Sequence, residues 1–134
     1  MVDSRLFGSR KDTMKLMTEE IERILERHPY GSQDEAGPDA KVIVKYFGGS
    51  AATWLITEGE KQRNGDWFLY GYITLGFRDD FEPDLLLWEW GSVSLKELSE
   101  VRFPPFGLPV ERDLYLSPLS STVREEAFMS RYSR

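Results

Sequence analysis

Four ionisable residues sit where β-strands would be expected to carry apolar side chains. Glu58 and Glu60 flank Gly59 at the end of ATWLITEGE, Glu89 interrupts LLLWEW, and Arg112 stands between Val110 and Leu114 in VERDLYL. A guanidinium among core residues is costly unless a carboxylate meets it. Arg112 paired with Glu58, Glu60 or Glu89 would satisfy that need through two parallel hydrogen bonds. Glu111 and Asp113 alternate to the other face of the same strand. The six residues Glu58, Glu60, Glu89, Glu111, Arg112 and Asp113 are therefore the candidate cluster. As a site, Arg112 would hold an anionic group while a carboxylate moves a proton. As structure, the same residues form an ion pair between strands, which is the commoner role.

A second constellation is aromatic. Trp54, Trp67, Trp88 and Trp90, with Tyr70 and Tyr72, lie in the predicted strands. They can line a stacking surface for bases or sugars, or fill a small core and pair across strands. The acidic run Asp79-Asp80-Phe81-Glu82-Pro83-Asp84 is a solvated loop or a patch that docks on a basic surface.

Other chemistry is thinly supported. The chain has no cysteine and one histidine, so thiolate metal sites and cysteine nucleophiles cannot be built, and no metal or cofactor is expected. His28 falls at a predicted helix C-terminus, where it suits the helix dipole. Gly48-Gly49-Ser50 joins two strands, so it lacks the helix N-terminus of a phosphate loop. The net charge of −6 argues against general nucleic-acid binding, which calls for a basic stripe. No run reaches the ~20 apolar residues that span a bilayer, and residues 1–13 lack a signal-peptide core, so a cytoplasmic protein is expected.

The elements that must position these residues follow from periodicity. Met14, Met17, Ile21, Ile24 and Leu25 make one helical stripe, ended by Arg27-His28-Pro29. Thr18 is a candidate cap for its start, and Asp12 or Thr13 would cap a longer version. Tyr30–Ala40 reads as a polar linker. Strands are predicted over Lys41–Phe47, Ala52–Glu58, Trp67–Leu75, Leu85–Trp90 and Val110–Leu116. In the second, strict alternation puts Trp54, Ile56 and Glu58 on one face. Asn64-Gly65 signals a hairpin, and Gly71 in mid-strand signals a bulge or close backbone approach. Ser94-Leu95-Lys96-Glu97 fits a capping box opening a short helix, and Thr122 with Glu125 fits another. The fold class is α+β: a mainly antiparallel sheet of about five strands, an N-terminal amphipathic helix on one face, a short helix before the last strand and a C-terminal helix. The expected organisation is a flexible start at 1–13, one domain over 14–118 and a helical extension over 119–134.

Thr53-Trp54 with Thr57-Glu58-Gly59-Glu60, then Ser94-Leu95 with Glu97-Leu98, then Gly107-Leu108-Pro109-Val110-Glu111-Arg112-Asp113 resembles an uncharacterised bacterial family of unknown function. Its members are small stand-alone proteins, often of plasmids, phages and integrated elements. The resemblance spans about Met14 to Pro118 and brings no established activity. With the acidic charge, it implies a non-enzymatic accessory factor of a mobile element that binds another protein. One version offers carboxylates in place of DNA phosphates to a host-defence protein. The alternatives are a small-ligand or hydrolytic site at the carboxylate–Arg cluster, and single-strand binding through the aromatic face.

Overall fold

The structure, a computed structural model, describes residues 15–129. The expected flexible start at 1–13, Met14 and the last residues of the C-terminal extension lie outside them. Residues 15–18 are described and are not helical, so the helix expected from Met14 is the shorter one that Thr18 caps. Helix α1 (Glu19–Glu26) begins where Thr18 Oγ1 accepts from the Ile21 amide, with Glu19, Glu20 and Glu22 in the dipole-favoured first turn. It closes as the His28 imidazole Nδ1 donates to the Ile24 carbonyl at 2.8 Å, just before Pro29. Ile21 and Leu25 are its buried face.

The main sheet is built from β1 (Val44–Gly48), β2 (Ala52–Lys61), β3 (Trp67–Thr74), β4 (Glu89–Ser94) and β7 (Glu111–Arg112). Its strand order is β4-β3-β2-β1-β7, antiparallel throughout. A separate two-stranded ribbon pairs β5 (Arg102–Phe103) with β6 (Leu108–Pro109), which the periodicity did not suggest. Helix α2 (Leu95–Glu100) opens with the expected capping box at Ser94 and Glu97, and α3 (Val123–Met129) is the expected C-terminal helix. The α+β class and the helix placements are as the periodicity implied. No helix among the described residues is long and apolar enough to cross a membrane.

Both faces of the sheet are packed. One face meets α1 and α2 through Tyr46, Trp54, Ile56, Trp67, Leu69 and Leu98. The other, near its β1 and β2 side, meets Ala40, Val42 and Val123 of α3 around Leu55. Lys45 and Glu126 form an ion pair of 3.3 Å beneath α3, both side chains mostly buried.

A bulge in β2 decides which groups share a face. Ile56 is paired with Gly71 but Glu58 with Tyr70, so Thr57 is the extra residue. Strict alternation fails there: Glu58 shares its face with Leu55, not with Trp54 and Ile56. Gly71 is what lets the strands approach. A Cβ on it would lie 1.9 Å from the Leu55 carbonyl oxygen.

Two strands differ from expectation. Leu85–Trp88 stays outside the main sheet, where the Asp79 amide donates to the Leu85 carbonyl and the Leu87 amide to the Phe77 carbonyl. The fourth strand instead runs through Gly91 and Ser92 straight into α2. The last strand shrinks from Val110–Leu116 to Glu111–Arg112. Pro109 has no amide to donate before it, and Asp113 Oδ1 takes the Tyr115 amide at 2.8 Å after it. The linker also contains a 3₁₀ segment, Asp34–Asp39, kinked at Gly37 with φ of 54°.

Candidate functional site

The carboxylate–Arg cluster does not assemble in this topology. Arg112 lies opposite Tyr46 and so on the α1 face, while Glu58 and Glu60, opposite Tyr70 and Phe68, lie on the other. Glu89, opposite Ile73, is on the Arg112 face but in β4. Four strand spacings separate β4 from β7, about 19 Å at ~4.8 Å each, far beyond salt-bridge reach. Arg112 meets backbone instead: its Nε donates to the Lys15 carbonyl at 2.7 Å. Beside it the buried Tyr46 hydroxyl donates to the Leu16 carbonyl. These two bonds tie the chain ahead of α1 across β1 and β7. Burial pushes the Tyr46 hydroxyl above the usual phenol range, and the Arg112 charge offsets part of that rise.

A cleft of about 340 Å³ does open beside Arg112, lined also by Lys45, Phe47, Glu111, Asp113 and Tyr115. Its charges are largely engaged. Lys45 holds Glu126, Arg112 Nε donates to the Lys15 carbonyl, and Asp113 caps Tyr115. The acidic loop is likewise folded on itself, with Asp79 Oδ1 accepting from the amides of Phe81 and Glu82.

The aromatic residues divide between the faces. Trp54 and Trp67 are 4% and 2% exposed in the α1-side core, where Trp67 Nε1 donates to Glu22 at 3.0 Å. Trp88 and Trp90 belong to the opposite face and to a continuous ladder of five rings. Tyr30 meets Tyr70 at 5.9 Å between centroids, Tyr70 meets Trp90 at 6.0 Å, Trp90 meets Tyr72 at 4.9 Å, and Tyr72 meets Trp88 at 5.0 Å. Tyr70–Trp90 and Tyr72–Trp88 are stacked, with interplanar angles of 18° and 12°. The origin is local. Tyr70 and Tyr72 are two apart in β3 and share a face, and Trp90 is the direct cross-strand partner of Tyr72.

Glu58 joins this ladder to the linker. It is 2% exposed, and its two oxygens accept from the Gly31 amide at 2.9 Å and the Gln33 amide at 2.8 Å. The Gln33 side chain completes the clamp, donating to the Thr57 and Lys41 carbonyls and accepting from the Lys41 amide. So the bulge turns Glu58 to the ladder face, and Glu58 then seats the loop that carries Tyr30 and Asp34. Between loop and ladder lies a cleft of about 280 Å³ bordered by Gln33, Asp34, Gly37, Glu58, Tyr70 and Trp90. A second, of about 340 Å³, lies on the other side of Trp90 against α3.

The first cleft is electronegative. Burial, and then the charges of Asp34 and Glu58, push the Tyr70 hydroxyl above its ordinary value. Tyr30 is raised as well, by burial first and also by Glu60 and Glu58, against the lowering effect of its hydrogen bond to Ser92. Aromatic faces and carboxylates around one concavity favour a cation, which the ring quadrupoles and the acids attract together. Of the ladder, the sequence pointed to Trp88, Trp90, Tyr70 and Tyr72. Tyr30, Gln33 and Asp34 were missed, because a linker's periodicity carries no information about which strand it folds against.

The chain matches the family described as "Protein of unknown function (DUF2958)" over residues 16–127, and it belongs to that family. No curated protein and no solved structure was found to match it.

Proposed function

We propose that the chain is a non-enzymatic binding protein whose partner is another protein, recognised through a basic side chain seated in the Glu58–Asp34–Tyr70–Trp90 cleft. The observation that carries this reading is the junction of the aromatic ladder with the carboxylates of the linker loop. A lysine or arginine there gains both the ring faces and the local negative charge, in a concavity that excludes part of the water. The same charge disfavours a nucleic-acid strand, whose phosphates would approach Asp34, Glu58 and Glu60; stacking surfaces for single strands are flanked by basic grooves. The Arg112 cleft offers less to an anionic ligand, since Lys45 is already paired with Glu126 and the carboxylates of Glu111 and Asp113 line the same cleft. The setting that fits the resemblance is a bacterial cytoplasmic accessory factor of a mobile element. In that setting the acidic face engages a basic, DNA-binding surface of a host-defence protein.

The experiment is calorimetric titration of the chain with an arginine-containing peptide and with its glutamine-substituted twin. The arginine peptide binds, the twin does not, and binding weakens as salt rises. Asp34→Asn, at an exposed position, lowers the affinity severalfold without altering the fold. Equal binding of both peptides, or preferential binding of a neutral oligosaccharide or an oligonucleotide, overturns the proposal.

A further inference from the structure

The two clefts on the ladder face are neighbours separated by one side chain. Trp90 borders both. Tyr70 borders the electronegative one and Tyr72 the other, and on the opposite wall Gly37 and Pro38 divide in the same order. The second cleft differs in chemistry. Its walls are Tyr72, Trp88, Val123, Ala127 and Phe128, an apolar set. Its charged member, Arg124, lies at 3.2 Å from Asp39. That ion pair is compensated and supplies no free carboxylate, so the cleft suits an aliphatic or aromatic side chain.

The spacing of the clefts follows from the strand. Tyr70 and Tyr72 are alternate residues of β3, and alternate residues of a strand stand about 7 Å apart on one face. An extended peptide has the same repeat, so its residues i and i+2 project from one side at the same interval. We infer that the partner segment is an extended peptide carrying a basic residue and an apolar residue two positions apart. The basic one enters the Glu58–Asp34 cleft and the apolar one the Tyr72–Trp88–Phe128 cleft, with Trp90 between them. This rests on the cation-binding reading above and adds to it a sequence rule for the ligand. A flat stacking surface for sugars would impose no such rule, because it has no charge difference from one end to the other.

The test is a set of fluorescein-labelled Gly/Ser octapeptides, each with one arginine and one leucine, at separations of one to four and in both orders. Anisotropy is read against the full chain. The separation of two binds about fivefold or more tightly than one or three, in at least one order, as expected for burying one leucine side chain. Phe128→Ala, at the half-exposed rim, shrinks that preference while arginine dependence persists. Affinity that depends on arginine but not on its distance from leucine overturns this inference and leaves the cation site standing. Affinity that is the same with glutamine in place of arginine brings down the cation site and the rule together.

Discussion

Gly71→Ala is the substitution that bears hardest on how the ladder face is built. A Cβ at residue 71 would sit 1.9 Å from the Leu55 carbonyl oxygen, 2.7 Å from its carbon and 2.9 Å from the Ile56 Cα. All three are backbone atoms in the strand paired with β3, so no side-chain rotation relieves the clash. Inserting a methyl group into a packed core ordinarily costs about 1–3 kcal/mol, partly because side chains move aside. Here β2 and β3 must separate at the bulge itself, and the expected loss is about 3 kcal/mol or more. For a chain of this size that lowers the melting midpoint by roughly 10 °C or more. Gly91, the direct partner of Gly71 in β4, is the internal control. A Cβ there has no atom within 4 Å, so Gly91→Ala changes stability by less than about 1 kcal/mol. Urea denaturation of both variants measures the difference. A Gly71→Ala protein within 1 kcal/mol of the parent, or two variants with equal losses, would refute the bulge geometry and with it the placement of Glu58.

Three further outcomes follow from named contacts. Glu58→Gln keeps the shape but turns an amide donor toward one of two backbone amides, and is expected to cost about 1–3 kcal/mol in denaturant unfolding. A loss under 0.5 kcal/mol would mean the loop is not seated by that carboxylate. Tyr46 is held neutral by burial, so its unfolded form, titrating near 10.0, loses its proton first. Its contribution is therefore complete below pH 10 and declines above it, by up to ~1.4 kcal/mol per pH unit. Tyr46→Phe should flatten the alkaline limb of the stability curve; an unchanged limb would contradict this. Arg112→Ala removes a half-exposed bond to a carbonyl and strands no buried carboxylate, so about 1 kcal/mol is expected, and a loss above 3 kcal/mol would restore a buried ion pair.

The sheet and helices were legible because alternation and helical stripes are local signals. Thr18, the Ser94–Glu97 box, the Asn64-Gly65 turn and the anomaly at Gly71 all appear where their side chains require. Gly71 marked a bulge or a close approach in the third strand; the close approach is there, but the bulge is in β2, where Thr57 is the residue extruded. That one residue moved Glu58 to the other face and dissolved the expected pairing with Arg112. Strand order was equally hidden, and it alone puts Glu89 and Arg112 at opposite edges. Arg112 did need a partner, as its position implied. The partner is a backbone carbonyl ahead of α1, a group that every residue carries and no pattern advertises. Trp54 and Trp88 cannot be told apart by composition, yet one is core and the other ladder.

That division supplies the most direct test of the cation cleft. The chain has four tryptophans, two on each face of the sheet, and each gives one indole N–H resonance. Titration of ¹⁵N-labelled protein with the arginine peptide should shift the Trp90 resonance most and Trp88 less. Trp54 and Trp67, sealed beneath α1 and α2, should stay in place. Shifts confined to Trp54 and Trp67, or an unmoved Trp90 at saturating peptide, would contradict a basic side chain seated against the ladder.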